Sequence, residues 1–197
     1  GEESEFRLEK GEVTTSSVMG VKPAGSIEIS ADRVILGDVK VKSDSKSDGG
    51  SGTLILEGRE SLEIGPESEV TSVTEGSGPG GSVNLKGARV EIEGGLVATD
   101  TRSENEGAGD AGSIEVEAEE LRVKEGGRMS SMSEGRGNAG KIELFAYQLS
   151  LSDGGKVSVG SLSTNGGDVL VYSDGNLQMD RGELTASAGG NGGSIRF

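Results

Sequence analysis

Histidine, cysteine and tryptophan are absent from the 197 residues, and proline occurs three times. Without imidazole or thiol there is no His-dependent triad, no thiol nucleophile, no His or Cys metal site and no disulfide to brace the fold. Three Phe and two Tyr are the whole aromatic content. A core built on aromatic bulk is therefore excluded, and the sugar platforms that accompany paired carboxylates in glycoside hydrolases have little to draw on. No apolar run approaches the roughly 20 residues that span a bilayer, so membrane insertion is not expected. Acidic side chains outnumber basic ones 34 to 19, and the net charge of −15 repels nucleic acid and anionic lipid. Gly1 opens no signal peptide, and the chain is expected to be a mature or excised segment.

What the chain does have is glycine, 36 residues of it, and a phrase that returns seven times. The phrase is a small residue, Gly, any residue, then apolar, polar, apolar: Ala-Gly-Ser-Ile-Glu-Ile at 24–29 is the first copy and Gly-Gly-Ser-Ile-Arg-Phe at 192–197 the last. Its glycines are Gly25, Gly52, Gly81, Gly112, Gly140, Gly167 and Gly193, in steps of 27, 29, 31, 28, 27 and 26 residues. A disordered glycine-rich chain would not place its few aliphatics so regularly. A second alternating segment follows in each unit, with Val34 and Leu36, Leu62 and Ile64, Val90 and Ile92, Leu121 and Val123, Leu149 and Leu151, and Leu177 and Met179. A third, weaker one carries Val39 and Val41, Val70, Leu96 and Ala98, Met129, Val157 and Val159, and Leu184 and Ala186. Glycine pairs at 94–95, 126–127 and 154–155 separate the second and third segments and are expected to supply positive φ.

Three period-two strands per unit and no helical periodicity predict an all-β fold, a right-handed parallel β-helix of about seven coils of 26–31 residues. Residues 1–197 then form one domain: 1–24 is an incomplete first coil, 25–192 are six full repeats, and 193–197 start a further coil. Inward Ile, Val and Leu stack into ladders, charged and polar residues between them face water, and small residues such as Ala98, Ser131 and Ala186 mark a narrow edge. The repeated Gly is a structural turn residue at which a side chain would meet the next coil. Gly140→Val is expected to combine that clash with a strained φ, whereas Gly137, in a variable loop, is expected to accept Ala. Asn138, Asn165 and Asn191 occupy equivalent positions and predict an amide ladder, a structural role first and a glycan contact second. Phe6 and Leu8 open on the second face and Ile195 and Phe197 close on the first, so these four are expected at an end-to-end contact.

With these repeats, best seen at 138–195, where Gly-Asn-Ala-Gly leads into Lys-Ile-Glu-Leu and later Asn-Gly-Gly-Asp-Val, the chain resembles filamentous-haemagglutinin-like exoproteins of the two-partner secretion class. The resemblance is one of repeat grammar, from Phe6 to Phe197. It implies a β-helical fibre used in adhesion, aggregation or biofilm structure, secreted or held at the cell surface.

The expected function is thus a non-catalytic structural or adhesive segment whose partners are copies of itself, stacked head to tail, or neighbouring segments of a longer rod. The alternative is a glycan- or receptor-binding module that uses the long loops at 43–51 and 100–111 to reach host or cell-surface glycans; a carbohydrate-active enzyme ranks third. No cofactor is expected. The calcium roll needs tandem Gly-Gly-x-Gly-x-Asp units, and the nearest segment, at 106–111, occurs once, so Asp100, Glu104 and Asp110 could gather only an adventitious ion. Arg122, Lys124, Arg128 and Arg136 are interspersed with acids and are expected to balance charge between coils.

Overall fold

The structure, a computed structural model, describes residues 3–103 and 108–197. None of them is helical, and every strand pair is parallel. β1 (Glu5–Ser17) and β2 (Ile27–Ser45) each run around corners of the coil without a break. The next three coils divide into a long strand and a short one: β3 (Thr53–Ile64) with β4 (Glu69–Thr71), β5 (Ser82–Glu93) with β6 (Leu96–Ala98), and β7 (Ser113–Lys124) with β8 (Arg128–Ser133). β9 (Lys141–Ser152) and β10 (Lys156–Ser161) follow, then β11 (Asp168–Tyr172), β12 (Asn176–Asp180) and β13 (Glu183–Ala188), and β14 (Ser194–Arg196). Each strand pairs with its equivalent about 28 residues on, and all fourteen join in one sheet wound as a parallel β-solenoid of about seven turns. The first two segments of a repeat merge into one strand bent at a bulge, as at the register shift between Gly58 and Ser61.

Stacking puts like on like. Ile27, Leu54, Val83, Ile114, Ile142 and Val169 form one interior column, and Val34, Leu62, Val90, Leu121 and Leu149 another. Nearly all are fully buried. On the third face the aliphatic column runs Val41, Val70, Val97, Met129, Val157. Val97 therefore takes the inward place that the alternation assigned to Leu96, while Ala98 is buried beside it.

Deeper along the third face the interior is polar. Ser17, Ser45, Thr74, Thr101, Ser133 and Ser161 pair in series, and Ser43, Ser72, Thr99 and Ser131 are buried two residues before members of that column. Among the described residues, Thr99 Oγ1 and Ser133 Oγ are buried with no hydrogen-bond partner, whereas three of these hydroxyls are held inside by carbonyls of the glycine column: Ser43 Oγ donates to Gly25 O at 2.5 Å, Ser72 Oγ to Gly52 O at 2.6 Å and Ser131 Oγ to Gly112 O at 2.7 Å. A buried hydroxyl without such a partner is costly.

The repeated glycines make this corner possible. A Cβ on Gly81, Gly112, Gly140 or Gly167 would come closer than 3.0 Å to the carbonyl oxygen of the glycine one coil earlier. None of these glycines has a positive φ, so backbone strain is no part of the Gly140 argument; close approach alone explains the residue. Gly137 also departs from expectation: its Cβ would meet the Gly109 carbonyl inside the same limit, because the loop is itself stacked on the coil below. Apart from those of Gly20 and Gly50, the positive φ values lie at the corner between the second and third faces. Gly94, Gly126 and Gly154 adopt them, but so do Lys10, Asp38, Glu67, Glu125, Asp153 and Arg181.

Outward charges pair between coils. Lys42 Nζ lies 2.6 Å from Glu69, Lys86 lies 2.8 Å from Glu117, and Lys124 bridges Glu91 and Glu93 at 3.1 and 3.0 Å; Arg122 also reaches Glu91. The Lys42 hydrogen bond holds the Glu69 carboxyl below its ordinary 4.5, and the Ser4 backbone N–H and hydroxyl hold Asp32 below 3.8. A carboxyl lowered in the folded state contributes stability above its unfolded pKa and loses it as pH falls through the folded value. The melting temperature is therefore expected to drop on acidification below about pH 4.5. Lys42→Met should cost up to about 1 kcal/mol near neutrality and less near pH 3, as the pH falls toward the lowered Glu69 value. An equal loss at both pH values would remove the Lys42–Glu69 pair as the cause.

Candidate functional site

The outward side of the first face carries a groove that the sequence reading did not anticipate. β9 continues the alternation past Leu144 and Ala146, which point inward and are buried, so Phe145 and Tyr147 point out. β11 places Tyr172 directly on Phe145 in the parallel register. The two rings stack at 4.7 Å between centroids and 4° between planes, the spacing of adjacent strands translated into side chains. Tyr147 sits at the corner, where a Cβ on Gly175 would reach its Cε1 and Cζ at 3.1 Å. The Ser173 hydroxyl holds the same corner by donating to Tyr147 O at 3.1 Å.

These rings and Phe197 line an open groove of about 710 Å³. Four of the five aromatic residues of the chain thus converge on one place, where composition alone allowed little for a platform. Phe145 is 36% exposed, Tyr172 51% and Tyr147 58%, so much of their apolar surface stays in water. Glu115, Glu117 and Asp174 supply the polar lining, and among the described residues no Lys or Arg contributes to it. Glu117, in the column of Phe145 one coil earlier, is paired with Lys86. Glu115 and Asp174 hold no hydrogen bond or ion pair with another described residue. A signal for the groove existed: Phe145 and Tyr172 are 27 residues apart, the same step that separates Gly140 from Gly167.

Apart from Phe197, the residues singled out from the sequence lie elsewhere. Asn191 Nδ2 donates to Asn165 Oδ1 at 2.9 Å and Asn165 Nδ2 to Asn138 Oδ1 at 3.0 Å; the column continues to Asp110, whose Oδ1 accepts Asn138 Nδ2 at 3.0 Å and Asn138 N at 2.7 Å. In the 43–51 loop, Ser43, Ser45, Ser47 and Ser51 are buried, and Ser47 bonds Ser45 and Ser17 at 2.9 and 3.0 Å, so these hydroxyls face the solenoid and not a ligand. In the 100–111 loop, Asp100 is buried and its Oδ1 accepts Ser130 Oγ at 2.8 Å and Met132 N at 2.9 Å. Glu104, and with it part of that loop and of the 106–111 segment, lies outside the described residues. No group of three acidic side chains able to hold a metal occurs among the described residues. Phe6 and Leu8 pack half-buried against the core at one end of the solenoid, while Ile195 and Phe197 are exposed in the last turn together with Leu177 and Met179. Arg128 lies in β8 opposite Leu96 and Lys156.

No helix is long and apolar enough to cross a membrane among the described residues. No family model, no curated protein and no solved structure matches the chain.

Proposed function

We propose that this chain is a non-catalytic structural and adhesive segment of a secreted or surface-exposed bacterial fibre, as the filamentous-haemagglutinin-like grammar of its repeats implies. The observation that carries this reading is the parallel pairing that continues from coil to coil between β1 and β14, which makes the molecule a stack extensible one coil at a time. Each coil contacts only its neighbours, so a further segment or a second copy can continue the aliphatic columns at either end. Seven coils at about 4.8 Å each make this segment roughly 35 Å long. Glycan contact by the same rod is the alternative role, and the aromatic groove is the observation that favours it.

Sedimentation and electron microscopy at rising salt test the proposal. Screening the −15 charge should promote head-to-tail association and give particles longer than one unit. A chain that stays monomeric at high protein and salt concentration, or that turns over a polysaccharide, would overturn it.

A further inference from the structure

We infer that the groove of Phe145, Tyr147 and Tyr172 is a saccharide-binding site, and that the sugar it takes carries a free amine. The inference deepens the adhesive reading by naming a ligand class, but it does not depend on fibre formation, because the groove lies within one chain.

Three observations bear on the ligand. The rings leave a large apolar surface open on a strand face, and covering such surface is favourable by about 25 cal/mol per Å². The register fixes the Phe145–Tyr172 stack and Gly175 backs Tyr147, so the surface is in place before any ligand arrives. The volume of about 710 Å³ lies in the range of small-molecule sites, and the open side allows an extended chain to pass through. A pyranose matches this surface: one face presents C–H groups to an aromatic ring, and hydroxyls project from its edge toward the groove walls.

The polar lining then chooses among sugars. Glu115 and Asp174 accept no hydrogen bond from a described residue, although Glu115 lies in the field of Lys86, and carboxylates only accept hydrogen bonds, so the ligand has to donate. Hydroxyls can do so, and an ammonium does so with charge assistance while also being attracted to the Tyr rings. Uronic, sialic or sulfated sugars bring the wrong sign to a lining without a cation on a chain of net charge −15. An amino sugar supplies the C–H face, the hydroxyl donors and the positive charge in one unit.

The chain has no Trp, and its only two Tyr are in the groove, so tyrosine emission reports on this site without any substitution. The test is calorimetric and fluorescence titration of the dilute chain at about pH 6 and low salt. The probes are a glucosamine hexamer, its N-acetylated form, a galacturonate hexamer, tetramethylammonium and a short Lys/Arg peptide. The glucosamine hexamer should bind and change the tyrosine emission, with affinity reduced about tenfold by Tyr147→Ala and by Tyr172→Ala and less by Asp174→Asn, all with wild-type circular dichroism. The N-acetylated hexamer should bind more weakly and the galacturonate hexamer not at all. Glucosamine binding that leaves tyrosine emission and the Tyr variants unaffected would mean diffuse attraction to an acidic surface and would overturn the site. Equal affinity for the N-acetylated hexamer would overturn the amine, and equal affinity for tetramethylammonium or the peptide would overturn the saccharide. Fibre assembly at high salt is measured separately, so failure of either result leaves the other standing.

Discussion

Gly140→Val will destabilise the solenoid by at least about 3 kcal/mol, the upper part of the range for forcing atoms into packed space. The Cβ would enter the space between Ser131 Oγ and the Gly112 carbonyl oxygen, two groups that now bond to each other at 2.7 Å. The substitution therefore adds a clash and also breaks the hydrogen bond that makes a buried hydroxyl tolerable. Relief is hard, since the obstructing atom belongs to the backbone of the preceding coil, which is itself seated on the Gly81 carbonyl. Gly137→Ala should also be costly, for its Cβ meets the Gly109 backbone. Gly37→Ala is the control: its nearest neighbour is Glu9 Cγ at 3.8 Å and it has no positive φ, so a change within about 0.5 kcal/mol is expected. Chemical denaturation of the three variants is the measurement. Similar losses at Gly37 and Gly140 would refute the close-approach account of the glycine column.

Leu121→Ala will cost about 2–5 kcal/mol, because it empties a fully buried position in a column that rises through Val90 and Leu149. Its place in the stack matters as much as its size. A solenoid is held by nearest-neighbour interfaces, so a void in a central coil weakens the coupling between the turns before and after it. The expected unfolding profile therefore broadens or splits in two, and amide exchange should quicken in β7 and in the strands beside it, β5 and β9, before it does in β2. Leu8→Ala, half-buried in the first coil, should lower stability less and leave a single transition. A single sharp transition for Leu121→Ala with uniform exchange would show that the stack melts as one unit.

Much of this architecture is legible in the sequence alone. Period-two aliphatics returning every 26–31 residues require a surface buried on one side only, and parallel stacking of equivalent strands is the arrangement that supplies it. The glycine repeat was legible for the same reason, as a residue demanded at one point of every coil. At 96–98 the alternation failed because Leu-Val-Ala is apolar throughout and carries no phase; Val97 is inward because Val70 and Met129 lie on either side of it. Ser131 read as one of the small residues of a narrow edge, but serine elsewhere read as solvent-facing, yet Ser43 and Ser72 are buried like Ser131, since the acceptors of all three are glycine carbonyls 18 to 20 residues away in the chain. Gly94, Gly126 and Gly154 take the positive φ expected of them, and Glu125 and Asp153, each directly before one of these glycines, take it as well, which the glycine pairs alone did not announce.

The sequence by itself determined the solenoid, its period and its columns, because burial of alternating aliphatics and the absence of a Cβ are properties each repeat states on its own. The tertiary structure alone decided which polar groups the interior accepts and where the few aromatics meet. Both depend on the register between coils: Phe145, Tyr147 and Tyr172 form one surface only after β11 settles on β9, and a strand offset by one residue would turn each ring to the opposite face.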